Sequence, residues 1–282
     1  MANTLDIRRR IRSVKNTAQI TKAMQMVAAS KMRRAQAAAL AGRPYKEALD
    51  RVLRALHGKV DPLENPLLEE RPVQRELIVV ISTDKGLCGP LNTNLFRELA
   101  TVDSSKAGFV TVGKKAVQFL ARTRRQLLAD FPTGEIPRFR EIRPIASFCS
   151  EKFLNREIDQ VRVLYPKFVN TLNQQATFYR LLPIAPAEIT REEKGPGGNF
   201  VFEPNENVVL GAILPHYLSY QIYQMVLDAR ASEHSARMVA MKNATDNAKQ
   251  IVKDLTLEYN KVRQASITTE LLEITTAQLA LQ

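Results

Sequence analysis

The sequence predicts an α/β protein in which an α/β domain is inserted between two long terminal helices that pair as an antiparallel coiled coil. Three observations predict it. Residues 1–41 contain neither Gly nor Pro and are dominated by Ala, Met, Lys, Arg and Gln, all strong helix formers. Residues 216–282 again contain neither Gly nor Pro. Between them the hydrophobic period changes: the run from Glu76 to Ser82 (ELIVVIS) is β-branched and bounded by a turn, the pattern of a strand buried on both faces of a parallel sheet.

The N-terminal segment places Ile7, Ile11, Val14 and Ala18 at 4-3-4 spacing, and Ile20, Met24, Val27 and Lys31 continue a shifted stripe. Asn3 or Thr4 can cap its start, with Asp6 near the positive end of the dipole. Forty residues of helix make a rod of roughly 60 Å. Gly42 and Pro44 mark a bend, Tyr45 to Leu56 is helical again, and His57-Gly58 ends it. Residues 59–75 carry Pro62, Pro66 and Pro72 and read as a linker.

After the strand at 76–82, Leu91 to Val102 reads as a helix, Gly108 to Val112 as a strand and Lys114 to Arg122 as a helix. Leu127 to Phe131 reads as a strand, Ile142 to Asn155 as a helix, and Gln160 to Leu164 and Thr177 to Leu182 as strands. The alternation argues for a Rossmann-like α/β domain with a largely parallel sheet. Lys194 to Asn199 (KGPGGN) is a loop. The division is thus 1–58 for the N-terminal coiled-coil helix, 59–75 for the linker, 76–203 for the α/β domain and 204–282 for the C-terminal helix and its tip.

In the C-terminal helix Met241, Ala244, Ala248, Ile251 and Leu255 follow 3-4-3-4 spacing, and Tyr259 and Val262 extend the stripe. Sixty-seven helical residues span about 100 Å. Such a stripe needs a partner helix, and the N-terminal helix supplies it. Small Ala244 and Ala248 permit close approach, and Met24, Met26 and Met32 are expected to face Met225, Met238 and Met241. Beyond Val262 the helix turns mostly polar, with a thin apolar line at Ile267, Leu271, Ile274 and Leu281. It outreaches its partner by roughly 40 Å. A lone helix end is marginal in water, so this tip is expected to sit inside another protein.

Composition narrows the function. The net charge of +12 is concentrated at one end: residues 1–60 hold fourteen Lys/Arg against three acids, whereas residues 216–282 are balanced at seven each. An acidic partner, nucleic acid or an anionic surface could each answer that charge. Nucleic acid is the alternative reading, through Arg8, Arg9, Arg10, Arg12, Lys31, Arg33 and Arg34. Yet no nucleic-acid fold motif is present and no aromatics interleave the charges. Low aromatic content (6%) and the absence of Trp suit a chain that is partly thin and elongated. No run approaches the ~20 apolar residues of a membrane span, and the helical pattern starting at once reads as mature sequence in a cytosolic compartment.

Motifs for chemistry are weak. The turn from Ser82 to Gly89 (STDKGLCG) follows a strand and precedes a helix, where α/β proteins bind phosphate. It has neither the GxxxxGK[ST] nor the GxGxxG spacing, so it reads as a tight turn. Cys88, near a helix start, could have a lowered pKa, but Cys88 and Cys149 read first as two buried thiols. His57, His216 and His234 have no metal spacing, and no paired carboxylates stand out. No catalytic, cofactor or metal residues are assigned.

Three segments carry a family resemblance. Ile20 to Ala35 (ITKAMQMVAASKMRRA), Ser82 to Asn92 with its GLCG core, and Ala231 to Glu273, including ARMVAMKNATDN from Ala236 and YNKVRQASITTE from Tyr259, resemble the γ subunits of F-type ATP synthases. The match runs in order over the whole chain. Two departures stand out: Ala277-Gln278 lies where the family usually has a small Gly-Ala step, and Gly89-Pro90 where a second Gly or small residue is common. The cysteine-bearing insertion of the chloroplast relatives is absent.

The resemblance implies a central rotating shaft lodged in a ring of three α and three β subunits. It couples ion flow through a membrane ring to ATP synthesis or hydrolysis. Chemistry then lies on the partners with Mg and ATP or ADP, and this chain carries no cofactor. It further implies that Arg263, Gln264, Thr268 and Glu270 contact loops of β, and that Met24, with Arg237 and Lys242, abuts the lower part of β. The α/β domain and the segment Asn205 to Tyr220, including Tyr217, form a foot on the membrane ring and the ε subunit, with δ reached only indirectly. The location implied is the cytoplasmic face of a bacterial inner membrane.

Overall fold

A computed structural model of the chain describes residues 4–56, 65–184 and 202–280. Asn3, the helix end at His57-Gly58, residues 59–64 of the linker, the loop from Lys194 to Asn199 and Leu281 lie outside the described residues. Two compact units form: Met1–Ala28 with Met238–Gln282, and Ala29–Arg237.

The helical elements are α1 (Thr4–Ala41), α2 (Arg43–Leu56), α3 (Leu91–Ala100), α4 (Lys114–Arg122), α5 (Phe139–Leu154) and α6 (Glu206–Ala280). The strands are β1 (Glu76–Ile81), β2 (Ala107–Val112), β3 (Leu127–Asp130), β4 (Gln160–Phe168) and β5 (Gln174–Leu182). Every expected element is present. Strands β4 and β5 run several residues further than expected, because they pair with each other as an antiparallel hairpin from Phe168↔Gln174 back to Val161↔Leu182.

The unit Ala29–Arg237 is built on one five-stranded sheet in the order β3-β2-β1-β4-β5. Strands β2, β1 and β4 run parallel, β3 joins β2 in parallel, and β5 closes the edge antiparallel. Central β1 shows why its sequence lacks polar alternation. Leu77, Val79 and Ile81 face one core with α2, α5 and α6, while Ile78 and Val80 face a second core with α3 and α4. Residues Leu77 to Ile81 are all buried, as a central strand covered on both faces requires. In the part of the linker that is described, Leu67 is buried in the first core.

Helix α6 begins ten residues before the Gly- and Pro-free run, enclosing Gly211 and Pro215. Asn205 starts it: its side-chain oxygen accepts the Val208 N–H at 3.0 Å or less (2.9 Å), an N-cap three residues in. Pro215 costs about 3 kcal/mol in a helix interior. Burial of Leu210, Leu214 and Leu218, at about 1.5–3 kcal/mol per side chain, offsets it. Pro144 inside α5 is tolerated in the same way, by burial of Ile142, Ile145, Ala146, Cys149 and Phe153. Helices α2 and α6 run antiparallel here, since Gly42 O accepts from Tyr220 and Tyr45 meets His216.

In the other unit the two helices form a heptad seam, but not the one expected. On α1 the seam positions Thr4, Ile7, Ile11, Val14, Ala18, Thr21, Gln25 and Ala28 are covered at alternating steps of 3 and 4, with Met24 half-buried beside Gln25. The shifted stripe fails at Ile20 and Val27, which are 61% and 53% exposed, while Met24 is half-buried. On α6 the seam is Met241, Thr245, Ala248, Val252, Leu255, Tyr259 and Val262, strictly 4-3-4-3. Thr245 replaces Ala244 as the more buried residue, and Val252 replaces the exposed Ile251. A 3.5-residue mean is the left-handed coiled-coil period. Met26, expected to face α6, is also exposed (58%).

The polar members of the seam are satisfied locally. Thr21 Oγ1 and Thr245 Oγ1 lie 2.8 Å apart, while Thr21 also reaches Ala18 O at 3.1 Å and Thr245 reaches Met241 O at 2.8 Å. Two hydroxyl protons serve three contacts, so one hydroxyl donates across the seam and the other to its own helix. Counting outward in opposite directions from this pair brings Thr4 opposite Val262. Val262 is the last covered residue of α6 before the exposed run from Arg263 to Gln278.

Candidate functional site

Beyond Val262, every residue of α6 from Arg263 to Gln278 is exposed. This surface holds four of the residues singled out for partner contact. At 100° per residue, Arg263 and Glu270 share one side, and Gln264 and Thr268 an adjacent one. Exposed aliphatics lie among them: Ile267, Leu271, Leu272 and Ile274, at 48–63%. The threonine hydroxyls turn inward. Thr268 donates to Gln264 O, Thr269 to Ala265 O, Thr275 to Leu271 O and Thr276 to Leu272 O, at 2.8–3.0 Å. Their protons are spent on the helix's own carbonyls, so these threonines present methyl groups, and the directional donors of the tip are left to Arg263, Gln264, Ser266 and Gln278.

The other carried-over positions differ in access. Met24 is half-buried on α1, and Lys242 is exposed on α6. Arg237 is committed within its own unit. Its guanidinium donates to Glu233 Oε1 at 2.8 Å and to the carbonyls of Lys85 and Gly86 at 3.3 Å. Tyr217 and Tyr220 are core residues, 5% and 6% exposed; Tyr220 packs on Tyr45 with ring centroids 4.9 Å apart. Only Asn205 of that trio is exposed, and its side chain caps α6. Sequence periodicity could not separate these cases, because the turn that captures Arg237 lies about 150 residues away.

That turn, Ser82 to Gly89, is closed by its own hydrogen bonds. Ser82 Oγ donates to Gly113 O at 3.1 Å and accepts from Ala116 N–H at 2.9 Å. Asn92 donates to Thr83 Oγ1 at 2.8 Å, and Asp84 Oδ1 accepts the Lys114 N–H at 3.1 Å. Leu87 and Gly89 both have left-handed φ, 63° and 57°, which completes the bend. Cys88 is buried, and desolvation pushes its thiol up despite the nearby Arg237. The reading of Cys88 as a buried thiol agrees with this, and the helix start does not lower it. Cys149 is fully buried and raised to about 12 for the same reason. Among the described residues, no group of His, Cys, Asp and Glu could hold a metal ion.

Fully missed from sequence was a charged cluster on α6. Arg230, Glu233 and His234 are 5–6% exposed. Arg230 donates to Glu233 Oε2 at 2.9 Å, to Asp84 Oδ2 at 3.3 Å and to Thr133 Oγ1 at 3.0 Å. Nearby, Lys31 pairs with Glu135 at 2.6 Å, which holds the Glu135 carboxyl below its ordinary pKa. His234 lies 4.0 Å from the same carboxylate, and its pKa is lowered, chiefly by burial. The i, i+3, i+7 spacing of Arg230, Glu233 and Arg237 was the only available signal, and it also describes an ordinary solvated face.

A long helical seam, a helix end left uncovered beyond it and an inserted α/β body define a coiled-coil scaffold protein that works through protein contacts. Comparison with known proteins makes this specific. The model of the ATP synthase family matches residues 3–281. The ATP synthase gamma chain of Methylacidiphilum infernorum is 51% identical over 292 residues, covering 100% of each chain. A chain from the mitochondrial ATP synthase central stalk and c-ring of Tetrahymena thermophila is 28% identical with a TM-score of 0.64, covering 80% of this chain and 99% of that one. One from the Euglena gracilis OSCP/F1/c-ring assembly, at 21% identity, shares the fold with a TM-score of 0.70 over 99% and 94%. The chain belongs to the ATP synthase gamma chain family.

Proposed function

We propose that this chain is the central rotating shaft of an F-type ATP synthase, coupling ion flow through a membrane ring to ATP synthesis or hydrolysis on partner subunits. The carrying observation is the tip of α6: a helix in register with its partner as far as Val262, then wholly exposed from Arg263 to Gln278. In this reading the tip and seam lie within three α and three β subunits, and the α/β body meets ε and the ring. Arg263, Gln264, Thr268 and Glu270 bear on loops of β, with Met24 and Lys242 lower down. MgATP and MgADP bind the partners, and the complex is peripheral on the cytoplasmic face of a bacterial inner membrane. No helix among the described residues is long and apolar enough to cross a membrane, in keeping with attachment through other subunits.

The mechanism follows from asymmetry. The surface from Arg263 to Gln278 differs from side to side, so each angle of the shaft offers each β a different contact. A bistable β site opens or closes according to that differential contact free energy. Back-bonded threonines withdraw their own hydroxyl donors from the surface, leaving Arg263 and Gln264 as its main directional contacts.

Mixing this chain with α and β from the same source tests the reading. A complex with one copy per three α and three β is expected, whose MgATP hydrolysis falls on Arg263→Ala or Gln264→Ala. A folded chain that stays free of α and β, or that instead binds DNA with a steep salt dependence, overturns it.

A further inference from the structure

We infer that Arg230, Glu233 and Asp84 form a torsional latch, a set of positioning residues that fixes the rotational phase of α6 against the sheet. The inference rests on the rotary reading above. It begins from the placement of the charges. Arg230, Glu233 and Arg237 lie on one face of α6 with side chains only 6%, 7% and 12% exposed. Glu233 is shared: Oε2 accepts from Arg230 and Oε1 from Arg237. Each guanidinium then reaches outward, Arg230 to Asp84 and Thr133, Arg237 to the carbonyls of Lys85 and Gly86. One face of the helix is thereby tied to the turn after β1 and to the loop after β3.

The attachment points are themselves anchored to the sheet. Asp84 holds the Lys114 N–H at the start of α4 with its other oxygen, where the helix dipole favours a carboxylate. Lys115 N–H donates to Thr83 O at 3.0 Å, and Ser82 ties β1 to the start of α4 through Gly113 O and the Ala116 N–H. Across Gly113 there is no slack, because a Cβ there would lie 2.3 Å from Ser82 O. A continuous path of polar contacts therefore runs from β1 and α4 into α6.

This path does what the apolar core cannot. Leu218, Ile222, Met225, Val226 and Ala229 pack α6 on the sheet, but apolar contact is non-directional, so it resists separation more than rolling. Directional, charge-assisted bonds fix angle and register. A buried charged cluster has a desolvation cost that an apolar replacement would avoid. A helix that carries twist about its own axis is where orientation is worth that cost.

The test uses the assembled complex of this chain with its α and β partners, immobilised through β. A probe on Ser104→Cys, an exposed site on the body, reports angular fluctuation during catalytic dwells. In Arg230→Met the angular variance is expected to rise about twofold, because removing one strong link softens a series of contacts; Arg230→Lys falls between. Unloaded MgATP hydrolysis stays near wild type. A merely structural role would lower the yield of complex while leaving the variance of assembled molecules unchanged, and that result overturns the latch. Should Arg230→Met fail to assemble, Asp84→Asn decides, since it removes the same pair without touching α6; unchanged variance there also overturns the latch. Failure of the wild-type complex to rotate with ATP would instead refute the rotary reading.

Discussion

Ending the chain at Val262 separates what the tip does for folding from what it does for function. The deletion removes Arg263 to Gln282, of which Arg263 to Ala280 belong to the 75-residue α6. None from Arg263 to Gln278 is covered, so area burial contributes nothing to their stability. Helix propagation in water is close to neutral per residue, and the seam pairs from Thr4–Val262 inward remain. The expected change in seam stability is therefore under about 0.6 kcal/mol, or less than about threefold in amide protection. Hydrogen exchange at Thr245, Ala248 and Val252 in the isolated chain reads this directly. In the assembled complex the same deletion removes four proposed contacts, each of about 0.5–1.5 kcal/mol. Loss of most of them predicts MgATP turnover lower by at least about tenfold. A more than tenfold fall in seam protection would mean that the tip packs on its own chain. Unchanged turnover would mean that it makes no consequential partner contact. Either result refutes the reasoning.

Three further predictions rest on other parts of the chain. Gly113→Ala forces a side chain into φ +107° and against a backbone oxygen at 2.3 Å; strain and displacement together cost about 3 kcal/mol or more, measured as a lower urea midpoint of the α/β unit. Val252→Gln should destabilise the seam by about 1 kcal/mol as half a valine's burial is lost, whereas Ile251→Gln stays within about 0.5 kcal/mol; equal effects in hydrogen exchange would show the seam phase to be wrong. His234 is neutral in its buried site, among Glu233, Arg237, Glu135 and Lys31. Its folded pKa lies below the ordinary 6.5, so the unfolded chain takes up the proton first and stability is lost as pH falls below 6.5 towards the folded value. His234→Gln should flatten the unfolding midpoint between about pH 7 and 5, and an unchanged slope would refute the assignment.

Legibility in the sequence followed the range of the forces involved. Helix α4 and strand β1 could be read almost to the residue, because a turn glycine, a β-branched run and a change of hydrophobic period are local signals. The first turns of α6 lay within the division at 204–282 but carried no propensity signal of their own, since Pro215 and Gly211 are breakers whose cost is met by Leu210 and Leu214 in a distant core. The seam was read in the wrong phase at Ala244 and Ile251 for a related reason. Thr245 looks polar in isolation, and only its contact with Thr21 across the seam shows how its hydroxyl is satisfied. Tyr217, Tyr220 and Arg237 matched a family pattern, but their burial and hydrogen bonding depend on residues far off in the chain.

By itself the sequence determined two breaker-free helices, an α/β segment between them, a charge excess at the N-terminal end, and motifs that place the chain in its family. These follow from propensity and periodicity, which act between neighbours. Tertiary structure alone decided which side of each helix is covered, that cover on α6 stops at Val262, and that Arg230, Glu233 and Arg237 face inward onto the Asp84 turn. Those outcomes depend on pairing and desolvation between residues up to more than two hundred positions apart, as with Thr21 and Thr245, and no local pattern encodes them.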